Sequence, residues 1–223
     1  MFNQVKIIRK IDFILTPLYK IIPYTHYWQT LKAIGNRGKT LLDVACGDGQ
    51  FMTIINSDHR FVAHGADIFD PYIKKAKQTH AYAKIPKADI RKLNFPSKSF
   101  DLVLCSQAIE HLTKKEGFAL MKTLEKIAKK RVIFITPAGH MPQDPYDGNT
   151  HQKHKSEWKA HDFSDRGYIV TGQGLKFFYG SGNAVKKWGV FSYLFSIFSL
   201  LAGPVLKINP DWGVYLFCWK DLS

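Results

Sequence analysis

Apolar positions change their period several times along the chain. Four short runs are nearly continuous in apolar character: 40-TLLDVA-45, 61-FVAHGAD-67, 100-FDLVLCS-106 and 131-RVIFIT-136. That is the pattern of strands buried on both faces. Between or beside them lie runs at helical spacing, at 49–57, 71–80 and 114–129. In 114-KKEGFALMKTLEKIAKK-130, for example, Phe118, Met121, Leu124, Ile127 and Ala128 share one face. Strands alternating with helices predict a parallel sheet covered on both sides. A short 87-KAD-89 adds one more parallel strand to the expectation. Near the C-terminal end, 168-YIVTGQG-174 and 212-WGVYLFCW-219 predict two further strands as an antiparallel pair.

The expected fold class is therefore α/β: a Rossmann-like, doubly wound, mostly parallel sheet closed by an antiparallel C-terminal pair. An apolar helical insertion is expected at 176–210, before the last strand. Within it, 188-WGVFSYLFSIFSLLAGPVL-206 carries no charge and is flanked by Lys187 and Lys207. A spanning helix needs about 20 apolar residues. Three serines and Gly203-Pro204 interrupt this segment, and one crossing would strand the final β-run on the wrong side of a bilayer. Insertion into one leaflet is the preferred expectation, with packing in the core or in a dimer as the alternative. Residues 2–22 place Ile7, Ile8, Ile11, Ile14, Leu15, Leu18 and Ile22 on one helical stripe, with Lys6, Arg9, Lys10 and Lys20 mostly off it. This basic amphipathic helix, kinked near Pro17, either docks on the core or lies on a membrane surface. Asp12 and Lys20 break its apolar run and no small-residue cleavage site follows, so a signal peptide is not expected.

Charge sharpens the choice of partners only partly. Thirty-two Lys and Arg against eighteen Asp and Glu give +14 over 223 residues. That favours anionic partners of any kind. Three cysteines (Cys46, Cys105 and Cys218) stand at unrelated spacings. No paired spacing suggests zinc or redox work, and reduced, buried thiols in a cytosolic compartment are the simplest expectation.

The chemistry concentrates in 43-DVACGDG-49. Gly47 and Gly49 stand where the first strand hands over to a helix, the place where doubly wound sheets bind ligands. They let the backbone approach a ligand and take angles that other residues resist. A dinucleotide fingerprint would need a third glycine where Met52 stands, and a phosphate loop would need Gly-Lys-Ser/Thr. Asp43 and Asp48 would also repel a pyrophosphate. A cationic or zwitterionic ligand is expected instead.

These residues resemble the first motif of class I S-adenosylmethionine-dependent methyltransferases, with Ala45 in place of its first glycine. The type is that of the small methyltransferase-11-like enzymes. Further elements follow in order. In 65-GAD-67 and the next residue, the resemblance implies that Asp67 accepts the ribose hydroxyls, with Ile68 beside it. In 88-ADI-90 it implies that Asp89 holds the adenine amino group and the Ile90 backbone the ring edge. The stretch 93-LNFPSKSFDLVLCSQAIEHL-112 is similar to the fourth strand and its following helix, including the Glu-His pair, with Ser106 at the strand end. The implied cofactor is S-adenosyl-L-methionine, and the similarity covers about residues 38–137. The division expected is an N-terminal amphipathic helical segment, 1–37, and a methyltransferase domain, 38–223.

Acceptor residues are less clearly marked. The stretch 136–172 is rich in Gly, Pro, Asp, Asn and His and is looser in its similarity to bacterial surface-glycan methyltransferases. His154 is the first candidate for a base or substrate contact and His111 the second. His151 and His154 have a His-x-x-His spacing, but with no carboxylate or third ligand in a fixed element nearby, no metal is expected. Trp158 reads as a packing anchor; Tyr146, Asp147 and Glu157 are open as substrate contacts. No Asn-Pro-Pro-Tyr or Asp-Pro-Pro-Tyr follows the fourth strand, which argues against base amines. No RNA-binding module is recognisable, so nucleic acid is not the expected partner. The expectation is O-methylation of a sugar, lipid-linked glycan or lipid-like acceptor in the cytoplasm, on the inner membrane face. A soluble small-metabolite or quinone methyltransferase, an RNA methyltransferase and a non-catalytic peripheral membrane protein are the alternatives.

Overall fold

A computed structural model describes residues 20–179 and 201–222. Most of the 2–22 stripe and of the 188–206 segment lies outside these residues. Helix α1, His26–Ile34, opens the described chain with Thr25 as its N-cap. Then follow β1 Thr40–Val44, α2 Gln50–Ile55, β2 Val62–Ala66, α3 Asp70–Gln78, β3 Phe100–Ser106, α4 Lys114–Ile127 and β4 Ala128–Pro137. After the 138–158 loop come α5 Ala160–Ser164, β5 Ile169–Leu175 and β6 Gly213–Asp221.

The six strands line up in the order β2-β1-β3-β4-β6-β5. The four strands from β2 to β4 are parallel. Strand β6 runs antiparallel between β4 and β5 and is hydrogen-bonded to both. The expected fold class is what the chain adopts.

Period-two alternation sorts the apolar side chains between the two faces. Leu42, Val44, Val103, Cys105, Val132 and Phe134 point to one side, where α4 brings Leu120, Met121, Leu124 and Ile127. Leu41, Leu102, Leu104, Ile133, Ile135 and Phe217 point to the other, against Ala33 and Ile34 of α1 and Met52 and Ile55 of α2. Trp158 is fully buried in the first cluster, as a packing anchor would be. A Cβ on Gly117 would come within 2.4 Å of the Trp158 ring, so the two are matched in shape. All three cysteines are free and buried.

Two expectations are adjusted. Segment 87–89 does not build a ladder. Only Lys87 of it forms a bridge, an isolated parallel one to Asp67 just past β2, and Lys84 forms another to His64 within β2. Pro86 lies between them and has no N–H to donate. Helix α4 stops at Ile127, because Ala128 already pairs with Phe100 and begins β4. Its N-terminus is tied by a reciprocal capping box between Thr113 and Glu116.

Candidate active site

The turn after β1 is built on alternating left-handed residues: Ala45 at φ 58°, Gly47 at 57° and Gly49 at 80°. At Gly49 a Cβ would lie 3.0 Å from the Tyr82 ring and 3.1 Å from the Ala76 backbone, so only glycine fits. At Gly47 a Cβ would meet nothing within 4 Å, because this residue borders open space. Ala45 holds a conformation that costs a side-chain-bearing residue about 1 kcal/mol.

Asp67 ties this turn to the end of β2. Its carboxylate accepts the Gly47 N–H at 2.9 Å on one oxygen and the Phe69 N–H at 2.9 Å on the other. Both oxygens keep a further lone pair for a ligand hydroxyl. Asp43, in β1, is buried and accepts a hydrogen bond of 2.7 Å from the Tyr82 hydroxyl. Burial pushes its pKa up to about 7; the Tyr82 bond opposes this and the Asp67 charge adds to it. Asp89 caps the short turn Ile90–Lys92 and is clasped by the Arg91 guanidinium at 2.6–3.0 Å, which holds its carboxyl below the usual range.

These residues converge on two connected hollows. Ala45, Gly47, Asp67, Ile68, Asp89 and Ile90 line the first, with Gln107, Ala108, His111 and Leu112 opposite. Asp43 and Ser106 line the second, a cavity of about 500 Å³ shared with Ala45, Gly47 and His111. Gly49 lines neither; its part is the bend itself. The chemistry suits S-adenosylmethionine: a buried acid for a cationic centre, a carboxylate for a diol, and an isoleucine pair for an apolar ring.

The second cavity also receives Glu110, His111 and His154. Glu110 is 2% exposed, accepts a 3.0 Å bond from Thr136 Oγ1, and is raised by burial to a pKa of about 7. The main chain locks its turn to the 138–158 loop, since the Glu110 carbonyl accepts the N–H groups of Lys155 and Ser156. His111 is held near pKa 4, first by burial and then by His154. Burial also lowers His154. Their rings lie 5.0 Å apart, centre to centre.

Tyr146 and Asp147 reach this cavity too, with Asp147 accepting from Tyr72. Glu157 turns outward and pairs with exposed His140. Several groups were not singled out from the sequence. Tyr82 approaches from outside every motif, and nothing marks it. Glu110 stands in the Glu-His pair, which was the available signal. His26 of α1 enters the cavity wall between Phe51 and Tyr215.

The sheet order and the glycine turn with its three carboxylates support a class I S-adenosylmethionine-dependent methyltransferase domain. The family described as "Methyltransferase domain" matches residues 42–136, and S-adenosylmethionine is the cofactor of this domain. The 2-methyl-6-phytyl-1,4-hydroquinone methyltransferase of Synechocystis sp. is 34% identical over 101 residues, covering 44% of this chain and 31% of the relative. The chain thus matches about a third of that curated relative. An S-adenosylmethionine-dependent methyltransferase from Mesorhizobium loti superposes with a TM-score of 0.52 at 15% identity, over 87% of this chain and 97% of that one. The plantazolicin methyltransferase BpumL gives 0.53 at 15% identity, over 99% and 90%. These two likenesses are of fold.

Proposed function

We propose that the chain methylates a hydroxyl group of a small-molecule acceptor, a sugar, a lipid-linked glycan or a related lipid-like compound. The observation that carries this is the pair of imidazoles, His111 and His154, lining the same cavity as the glycine turn. With lowered pKa values both are neutral near pH 7 and able to accept a hydroxyl proton. S-adenosylmethionine, when bound, supplies an electrophilic methyl group on a sulfonium. Asp67 holds the diol and Asp43 ionises against the positive centre, while Ile68 and Ile90 exclude water. Glu110 and Tyr146 border the space for the acceptor, and about 500 Å³ is ample for one sugar or ring.

A prenylated hydroquinone is the second reading, favoured by the name of the Synechocystis relative. Among the described residues no helix is long and apolar enough to cross a membrane. Peripheral contact through 188–206 and 2–22, at the cytoplasmic face, remains part of the proposal. Sedimentation with anionic vesicles, with and without 188–206, tests it; unchanged sedimentation removes it.

The acceptor is tested with methyl-labelled S-adenosylmethionine against lipid-linked glycans, sugars, prenylated hydroquinones and RNA. An O-methylated glycan or lipid is expected. Label found only in RNA, or in no acceptor while the cofactor still binds, overturns the reading.

A further inference from the structure

Glu110, His111 and His154 each offer a donor atom, and these atoms lie within 4.8 Å of one another. Two features suggest more than chance proximity. First, Glu110 is nearly fully buried, yet among the described residues its Oε1 has no hydrogen-bond partner; Thr136 satisfies only Oε2. Leaving a buried carboxylate oxygen unpaired is costly unless something binds it. Second, both imidazoles turn Nδ1 to a main-chain carbonyl, His111 to Lys153 at 3.3 Å and His154 to Met141. Donation from Nδ1 fixes the tautomer that leaves a lone pair on Nε2, the usual arrangement behind a metal-ligating histidine.

We propose that Glu110, His111 and His154 bind a first-row divalent transition cation in the acceptor cavity. Two imidazole nitrogens and one carboxylate oxygen suit zinc, manganese, iron or cobalt better than magnesium or calcium. Bonds of about 2.1 Å bring such donors to about 3 Å from one another. The three side chains therefore tighten on binding. One carboxylate leaves the cation a net positive charge, and Asp43 faces the same cavity. Three protein ligands leave open positions towards the space left for the acceptor. The role there rests on the methyltransferase reading above: the cation would hold acceptor oxygens and lower the pKa of the one to be methylated, taking the place of the two imidazoles as the group that activates the hydroxyl. The sequence argument against a metal was the lack of a carboxylate and third ligand near His154. The fold brings both from the turn after β3.

The test is titration of metal-stripped, full-length protein with cobalt(II), followed by visible absorption, beside calorimetric titration of the same samples with S-adenosylhomocysteine. One cobalt per chain is expected. Glu110→Gln and His154→Ala should each weaken cobalt at least tenfold, with His154→Ala keeping its S-adenosylhomocysteine affinity. Wild type that binds S-adenosylhomocysteine but not cobalt overturns the site, as does cobalt binding that survives both substitutions. Cobalt binding without S-adenosylhomocysteine binding would uphold the site and sink the methyltransferase reading. Loss of both in folded protein sinks both.

Discussion

The cofactor side and the acceptor side of the cavity are made in opposite ways. On the cofactor side the backbone comes first. Ala45, Gly47 and Gly49 bend the chain within five residues, and Asp67 is held by the N–H groups of Gly47 and Phe69. On the acceptor side the side chains come first, and they are assembled from distant stretches. His154 reaches His111 across 43 positions of sequence, and Lys155 and Ser156 dock on the Glu110 carbonyl. The first kind of site tolerates little change in its residues.

Substitutions can break that contrast. Asp67→Ala is expected to have the largest effect. It removes a ligand acceptor and the partner of two backbone amides, so S-adenosylhomocysteine affinity should fall at least ~100-fold and stability by about 1–3 kcal/mol. Calorimetry and urea unfolding read both, and unchanged affinity would refute the placement of the cofactor. Gly117→Ala should strike the acceptor side alone. A methyl group pressed into Trp158 should cost about 1–3 kcal/mol, while the folded fraction binds S-adenosylhomocysteine normally. If cofactor affinity falls equally, the two sides are not separable.

The pH dependence sharpens the comparison further. Asp43 is raised to about 7 by burial, so its contribution to stability is present at acid pH and is lost as pH rises from about 4 towards 7. A positively charged ligand favours its ionised form. Affinity for S-adenosylmethionine, which carries the sulfonium, should therefore drop roughly tenfold from pH 8 to pH 6, with close to one proton released at pH 6. Asp43→Asn should flatten this profile; an equally steep one would assign the proton elsewhere.

Smaller still is Ala45→Gly, which relieves a left-handed alanine and should raise stability by about 0.5–1 kcal/mol. A lower melting temperature would show that the methyl group is packed to advantage. Glu157→Gln should change stability by less than about 0.5 kcal/mol, because its hydrogen bond with His140 is exposed. A marked loss of activity there would put Glu157 back among the acceptor contacts.

What could be read from the sequence divides along the same line. Strand runs such as 100–106 were legible because burial on both faces demands uninterrupted apolar residues. The cofactor turn was legible because left-handed backbone demands glycine at fixed intervals. Tyr82 was not, since a phenol that meets Asp43 from a separate loop obeys no local spacing. The pairing of His111 with His154 was equally hidden, although each was a candidate on its own. Proximity across a cavity depends on how the loop folds back, and the loop's own pattern carries no period. The reduced strand at 84–89 illustrates a third case, in which one proline outweighs the expectation drawn from its neighbours.

Strand β6 lies between β4 and β5, although it follows both in the chain. During synthesis, β5 leaves the ribosome before β6, the one strand among the described residues that pairs with it. Until residues 213–221 emerge, β4 also presents a bare edge. At about 5–20 residues per second the wait lasts some seconds. The growing chain thus passes through a stage in which the sheet is open while the apolar residues 188–206 are being made, which is the moment when a chaperone would matter most.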